Sequence, residues 1–425
     1  MPTLTATEIA YGRFVPHQFL RLMGRPSIVD VRLGDNVEQE MTLLFSDIRD
    51  FTSLSESMLP AENFRFINSY LSTMEPMVTR HNGIVDKFIG DGIMALFAGS
   101  ADDGVRSGID MLRQLTIYNQ GRFRAGYNEI RIGIGVNTGL VMMGTIGGHN
   151  RMDSTVIGDA VNLASRIESL TKAYSTPLVI SDHTLHALKD RQAYCVRFLD
   201  RLQIKGRYQA QTLYEVFDAD PEPLKLAKQQ SRTDFEHALA YYHLGRDDLA
   251  LPLLQNCLRI APDDHAVQIY LERCRVSHGR HGNDAIDLMD KGVDWRDEYL
   301  IGINELDAYH QDLVARIALL AKQVGLGATG LEPLLDGLVG SVDCYFAAEE
   351  AKMLDRDYPF IKLHKAQHDT IRRFIAEMRQ EIMADQHDRL FMVFRIQLLL
   401  VDSLITHITK SDFHLGNFLK RVGVV

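Results

Sequence analysis

Two carboxylates sit where apolar runs end. In Leu43-Leu44-Phe45-Ser46-Asp47-Ile48-Arg49-Asp50-Phe51-Thr52 a buried strand runs into a helix start, which sets Asp47 beside backbone N–H groups that lack intrahelical partners. In residues 85–97 two apolar runs flank Ile89-Gly90-Asp91-Gly92, the pattern of a hairpin that presents Asp91 at its tip. Either acid alone reads equally as a helix cap or a turn residue. Together they are hard oxygen ligands, suited to divalent magnesium or manganese bound to phosphate. Asn162 and Arg166 lie four apart and so share one helix face, as solvated side chains or as donors to an anion. A second group lies near the C-terminus. His364 and His368 are four apart, Glu349 precedes them, His310 comes earlier, and His407 and Asp412 follow. Four helices with inward-facing donors of these types are what a di-iron bundle requires; a metal-free bundle with satisfied core histidines is the plainer alternative.

The elements that must position these groups follow from periodicity. Residues 41–217 alternate short β-prone runs with amphipathic stretches, an α+β layout with helices over a sheet. The segment Asp218-Ala219-Asp220-Pro221-Glu222-Pro223 closes that pattern, and everything after it reads as helical. Residues 233–276 suggest paired helices, with Ala238, Tyr242, Gly245, Ala250, Leu258 and Pro262 at the positions of one tetratricopeptide-type hairpin. A polar linker over 277–284 leads to four helical stretches in 295–423, enough for an antiparallel four-helix bundle. Before the α+β region, residues 11–35 carry an amphipathic Phe19-Leu20-Arg21-Leu22-Met23, either a lead-in that pairs across a dimer axis or a packing arm. The boundaries are therefore 1–37, 38–218, 219–294 and 295–425, a multidomain α+β chain.

Composition bounds the function. A 425-residue chain with 46% hydrophobic and 24% charged residues is ordinary globular material. Its net charge of −10 argues against nucleic acid or an anionic membrane as partner, so an anionic substrate must meet local positive charge or metal. The N-terminus lacks a basic region followed by an apolar run, and the apolar stretch 390–405 is interrupted by Arg395 and Asp402, which together imply a cytoplasmic protein. Cys195, Cys257, Cys274 and Cys344 have no CxxC spacing and read as reduced packing residues.

Phe45-Ser46-Asp47-Ile48, Gly90-Asp91-Gly92 and Val161-Asn162-Leu163-Ala164-Ser165-Arg166, in that order, resemble the class III adenylate and guanylate cyclases over residues 38–218. The resemblance implies a ferredoxin-like α/β domain with two magnesium (or manganese) ions held by Asp47, Ile48 and Asp91. It implies that Asn162 orients the ribose, Arg166 steadies the reacting phosphate, Lys205 meets the terminal phosphates, and Lys87 with Thr155 reads the purine. A lysine donor and a short hydroxyl match the adenine edge, which points to ATP; the family's more common partner of the lysine is Asp where this chain has Thr155. The site is expected at a homodimer interface, with the aspartates from one subunit and the other groups from its partner. A diguanylate cyclase would carry a Gly-Gly-Asp/Glu-Glu-Phe turn, and Ile89-Gly90-Asp91-Gly92 stands in its place.

The C-terminal stretch from Trp295 resembles a bacterial hemerythrin through Phe346-Ala347-Ala348-Glu349-Glu350, Tyr358-Pro359, His364 to His368 and His407 to Asp412. That resemblance implies iron on His364, His368 and His407, a second iron on His310, bridging Glu349 and Asp412, and dioxygen or nitric oxide as ligands. Tyr345 occupies the position, four before Glu349, where the family has a histidine. A phenolate ligand, an open position and a single metal all remain compatible with it. The two resemblances together predict an oxygen- or redox-regulated adenylate cyclase; the alternative is an iron-bundle sensor on a catalytically silent or GTP-using cyclase-like dimerisation domain.

Overall fold

The computed structural model describes residues 17–148, 151–203, 210–277, 295–326, 330–384 and 388–424. Lys205 and most of the 277–284 linker lie outside these residues. The described chain divides into two compact units. The first comprises the described residues of 1–200, 211–232 and 260–269, and the second those of 201–210, 233–259 and 270–425.

The first unit is built on an eight-stranded mixed sheet in the order β2-β3-β1-β4-β6-β8-β7, with β5 paired to β4. Its strands are β1 (Asn36–Ile48), β2 (Ile84–Ile89), β3 (Gly92–Phe97), β4 (Ile132–Gly148), β5 (Arg151–Ile157), β6 (Leu178–Ser181), β7 (Val196–Gln203) and β8 (Ala210–Val216). The helices are α1 (His17–Leu22), α2 (Phe51–Glu56), α3 (Pro60–Thr79), α4 (Ala101–Arg124), α5 (Asp159–Ala173) and α6 (Asp182–Ala187). β3 is buried throughout its length, as a strand covered on both faces must be. Phe19 of α1 is buried with Met41, Leu43, Met94, Leu96, Met143 and Val156, so the lead-in serves this core as a packing arm. β1 pairs antiparallel with both β3 and β4, which makes it an interior strand, and it carries Asp47.

Helix α5 crosses close over β4. A Cβ added at Gly135 would stand 2.2 Å from the Glu168 nitrogen, so only glycine lets the helix backbone approach the strand there. α5 buries Leu163, Ala164 and Ile167 toward the sheet, which turns Asn162 and Arg166 outward.

After β8 the chain is helical, as its periodicity indicates. α7 (Glu222–His243), α8 (Asp247–Ile260) and α9 (His265–Ser277) form three helices where the sequence suggested a pair. The additional helix is α9, which starts directly after Asp264. Pro223 falls in the first turn of α7, where a missing N–H costs no hydrogen bond, so the Pro-rich segment that follows β8 also starts a helix. In the second unit, α10 (Asn304–Gly325), α11 (Glu332–Asp355), α12 (Ile361–Ala384) and a composite last helix form the four long elements of the bundle. The last helix runs as α13 (Arg389–Ile396), a π segment Gln397–Val401, α14 (Asp402–Thr406), a second π segment His407–Asp412 and α15 (Phe413–Arg421). Cys257 and Cys274 are buried as expected, whereas Cys344 is exposed on α11.

Candidate functional site

The first unit brings Asp47 and Asp91 together at one end of the central strands. The β2–β3 hairpin turns through Gly90, whose φ of 64° suits glycine, and places Asp91 against the end of β1. The Ile48 backbone N–H donates to Asp91 Oδ2 at 3.0 Å, so the chain neighbour of Asp47 fixes the second acid. At Gly92 an added Cβ would lie 3.0 Å from the Ser46 carbonyl and 3.5 Å from Asp47 Oδ1. Burial and the adjoining Asp47 carboxyl push Asp91 up to about 7. A divalent cation with oxygen preference fits the donor set of two acids crowded in this way.

Lys87 and Thr155, far apart in sequence, meet directly: Lys87 Nζ donates to Thr155 Oγ1 at 3.0 Å. Asp86 Oδ2 lies 3.3 Å from the same ammonium. Beyond the acids, Arg49 pairs with Glu168 of α5 at 3.5 Å, and burial pushes Glu168 up to about 7. Asn162 and Arg166 occupy the exposed face of α5.

The second unit gathers every described donor that the sequence assigns to the bundle. His310, Tyr345, Glu349, His364, His368, His407 and Asp412 are all buried. Donor atoms of Glu349, His364, His368 and His407 lie within 4.8 Å of one another, as do those of His310, Glu349 and Asp412. His407 and Asp412 are five residues apart, a spacing that would point them in different directions on an α-helix. The π segment that spans them, with its wider turn, returns both to the interior. Tyr345 bridges the group: His310 Nε2 is 2.9 Å from its hydroxyl, which in turn donates to Asp412.

Two residues hold the imidazoles from outside, and the sequence did not single out either for that task. His368 Nδ1 meets Glu350 Oε1 at 3.0 Å, and His407 Nδ1 meets Gln367 Oε1 at 3.1 Å. Such bonds fix the tautomer that turns Nε2 inward. Glu350, directly after Glu349, was the available signal.

The electrostatics close on themselves. Burial lowers His407, but the Asp412 and Glu349 carboxylates override it and raise the imidazole to about 10. Burial and Asp412 push Glu349 up, and bonds from His364, His368 and His407 pull it down to about 2. Asp412 Oδ1 lies 3.2 Å from His364 Nε2 and 3.0 Å from His407 Nε2, yet these buried atoms, and Glu349 Oε1 with them, make no well-aligned hydrogen bond. Buried polar atoms left this way, all aimed inward, fit a metal ion with mixed imidazole and carboxylate ligands.

Residues 35–216 match the family model of the adenylate and guanylate cyclase catalytic domain, and residues 301–419 that of the hemerythrin HHE cation binding domain. An adenylate cyclase of Anabaena cylindrica is 41% identical over 219 residues, which cover 50% of this chain and 44% of that protein. A terminal-differentiation specific adenylate cyclase of Dictyostelium discoideum is 36% identical over 273 residues, covering 63% of this chain and 13% of that one. The chain thus spans less than half the length of either relative. A crystal structure of an adenylyl cyclase from P. aeruginosa is 33% identical over 43% of this chain and 96% of its own, with a TM-score of 0.40. Among the described residues no helix is long and apolar enough to cross a membrane.

Proposed function

We propose that the chain is an adenylate cyclase under the control of a metal-binding bundle, since residues 35–216 match the adenylate and guanylate cyclase catalytic domain and residues 301–419 the hemerythrin HHE cation binding domain. The observation that carries this reading is the closure of Asp91 onto the end of β1 beside Asp47. Magnesium or manganese held by Asp47, Asp91 and the Ile48 carbonyl supplies a lowered pKa for the ribose 3′-hydroxyl and neutralises the triphosphate.

The chain's own groups do the rest. Asn162 orients the ribose, and Arg166 offers a planar, permanently charged donor to the phosphate under attack, where charge accumulates. Lys205 is assigned to the terminal phosphates on the resemblance alone. Lys87 donates to adenine N1 while Thr155 accepts from the exocyclic amine, a pattern that guanine reverses. ATP is the substrate on this reading, in keeping with the adenylate cyclases among its relatives.

A homodimer is part of the proposal. Leu140, Met142, Ile146, Met152 and Ile157 expose apolar side chains on the β4–β5 hairpin, a surface of the kind that pairing with a second copy would cover. In such a dimer the aspartates of one subunit face Asn162 and Arg166 of the other, and a monomer is inactive.

Iron fits the bundle's three imidazoles and two carboxylates, with His310 and Tyr345 on the far side, and when bound it supplies a charge that responds to oxygen, nitric oxide or redox state. The reaction test is product identification after incubation with ATP or GTP and magnesium or manganese. Equimolar cyclic AMP and pyrophosphate from ATP, with little turnover of GTP, is the expected result. Cyclic GMP as the main product would overturn the substrate, and no cyclic product from either nucleotide would favour the silent-scaffold reading.

A further inference from the structure

β2 does not pair regularly with β3. Val85 lies opposite Ala95 and Lys87 opposite Met94, so Asp86 is an extra residue with no partner across the ladder. In a regular antiparallel register Lys87 would face Ile93. A one-residue slip transfers a side chain to the other face of a strand, and bulges commonly re-aim side chains beside active sites. The bulge therefore decides where Lys87 points.

Asp86 also does something at that spot. Its side chain is only 1% exposed although the strand around it is partly open, and its Oδ2 is buried without a well-aligned hydrogen bond. The Lys87 ammonium, 35% exposed, stands 3.3 Å from that oxygen and 3.0 Å from Thr155 Oγ1. A lysine carries three N–H donors on a flexible four-carbon stem. Thr155 Oγ1 takes one of those donors and the adjacent Asp86 carboxylate attracts the ammonium, which leaves a donor to face a ligand.

We propose that Asp86 is the positioning residue for purine recognition: the bulge and its buried carboxylate aim Lys87, so nucleotide preference depends on an acid that never touches the base. The proposal rests on the reading of Lys87 and Thr155 as the pair that meets the adenine edge. A lysine held in this way presents a donor where adenine N1 accepts and guanine N1 donates. Released from Asp86, the ammonium swings freely and discriminates less.

The test measures kcat and KM for ATP and GTP in the full chain carrying Asp86→Asn, Asp86→Ala, Lys87→Ala and the double change Asp86→Ala with Lys87→Ala. Asp86→Ala should lower the ATP:GTP ratio of kcat/KM by about tenfold, chiefly through the KM for ATP, and adding it to Lys87→Ala should change nothing further. Asp86→Asn keeps the shape and should give a smaller loss in the same direction, which preserves the test if the alanine variant unfolds. An unchanged ratio in both Asp86 variants would overturn the proposal, and so would an equal loss in the Lys87→Ala background, since Asp86 would then act through some other group. If Lys87→Ala itself leaves ATP preference intact, the base-reading assignment fails first, a result distinct from the failure of Asp86 alone.

Discussion

At the scale of single residues the account turns on how charges are held. Lys87 and Thr155 touch each other, so their contribution to base choice should be read as a pair. Lys87→Glu together with Thr155→Cys replaces a donor by an acceptor at the purine edge. The kcat/KM ratio should move toward GTP by at least about tenfold; unchanged preference in a turnover assay would remove both residues from base recognition. Asp91 makes a separate prediction about protons. Its carboxyl is raised from the ordinary 3.8 to about 7, so the metal-free fold favours the protonated acid and loses stability as pH rises between these values. Magnesium binding must displace that proton. Calorimetry at pH 6.5 in buffers of different ionisation enthalpy should register proton release on magnesium binding, with affinity rising toward about pH 8. Binding with no proton released, and equal at both ends of that range, would contradict the pairing of the two acids. The two aspartates and the bundle donors that the structure brings together could be singled out in the sequence because their flanking residues repeat known patterns. The contacts of Glu350 with His368 and of Gln367 with His407 were not, since each joins different helices and spacing along one helix carries no trace of it.

At the scale of elements, irregularities are where pattern reading ran out. Apolar alternation marks β2 and β3 clearly, yet one extra residue at Asp86 changes which face Lys87 occupies without disturbing the hydrophobic pattern. The His407–Asp412 spacing looked helical and is, but as a π turn. The Pro-rich segment after β8 leads straight into α7, with Pro223 in its first turn. That helix enters a buried charge network within the first unit. Arg197 of β7 is fully buried and pairs with Glu215 of β8 at 2.5 Å and with Asp264, just before α9, at 2.6 Å. Lys228 of α7 adds contacts to Glu215 at 2.7 Å and Asp220 at 2.6 Å. Burial would raise Glu215, but Arg197 and Lys228 draw it down to about 2. Its contribution to stability is thus present above about pH 4.5 and fades as pH falls toward 2. Removing Arg197 takes away the cation that pairs with the buried Asp264 and leaves Glu215 with Lys228 alone. Arg197→Leu should cost about 3–5 kcal/mol in denaturant unfolding, and a loss below about 1 kcal/mol would show that the network is not needed to hold α7 and the Asp264 segment to the sheet.

At the scale of the whole molecule, the chain carries a stretch that matches the adenylate and guanylate cyclase catalytic domain and a second that matches the hemerythrin HHE cation binding domain. Domain order was readable from sequence because each domain carries several separated motifs. How one domain informs the other was not, since coupling is a free-energy difference between states and leaves no motif. If the bundle controls turnover, then the iron-loaded chain in its anaerobic reduced, oxygenated and oxidised forms should differ in ATP turnover by about fivefold or more. A His368→Ala variant should bind less iron and lose that difference. Identical rates in every state, in protein shown by analysis to hold iron, would leave the bundle without a part in catalysis.

The central claim is that Asp47 and Asp91 together carry the metals on which cyclisation depends. Its most direct test is cyclic AMP formation from ATP by the intact chain and by Asp91→Ala at saturating manganese, with iron content and melting temperature matched. The account predicts robust turnover by the former and a rate lower by at least about a hundredfold in the latter. Cyclic AMP formed by Asp91→Ala at the unaltered rate would contradict it.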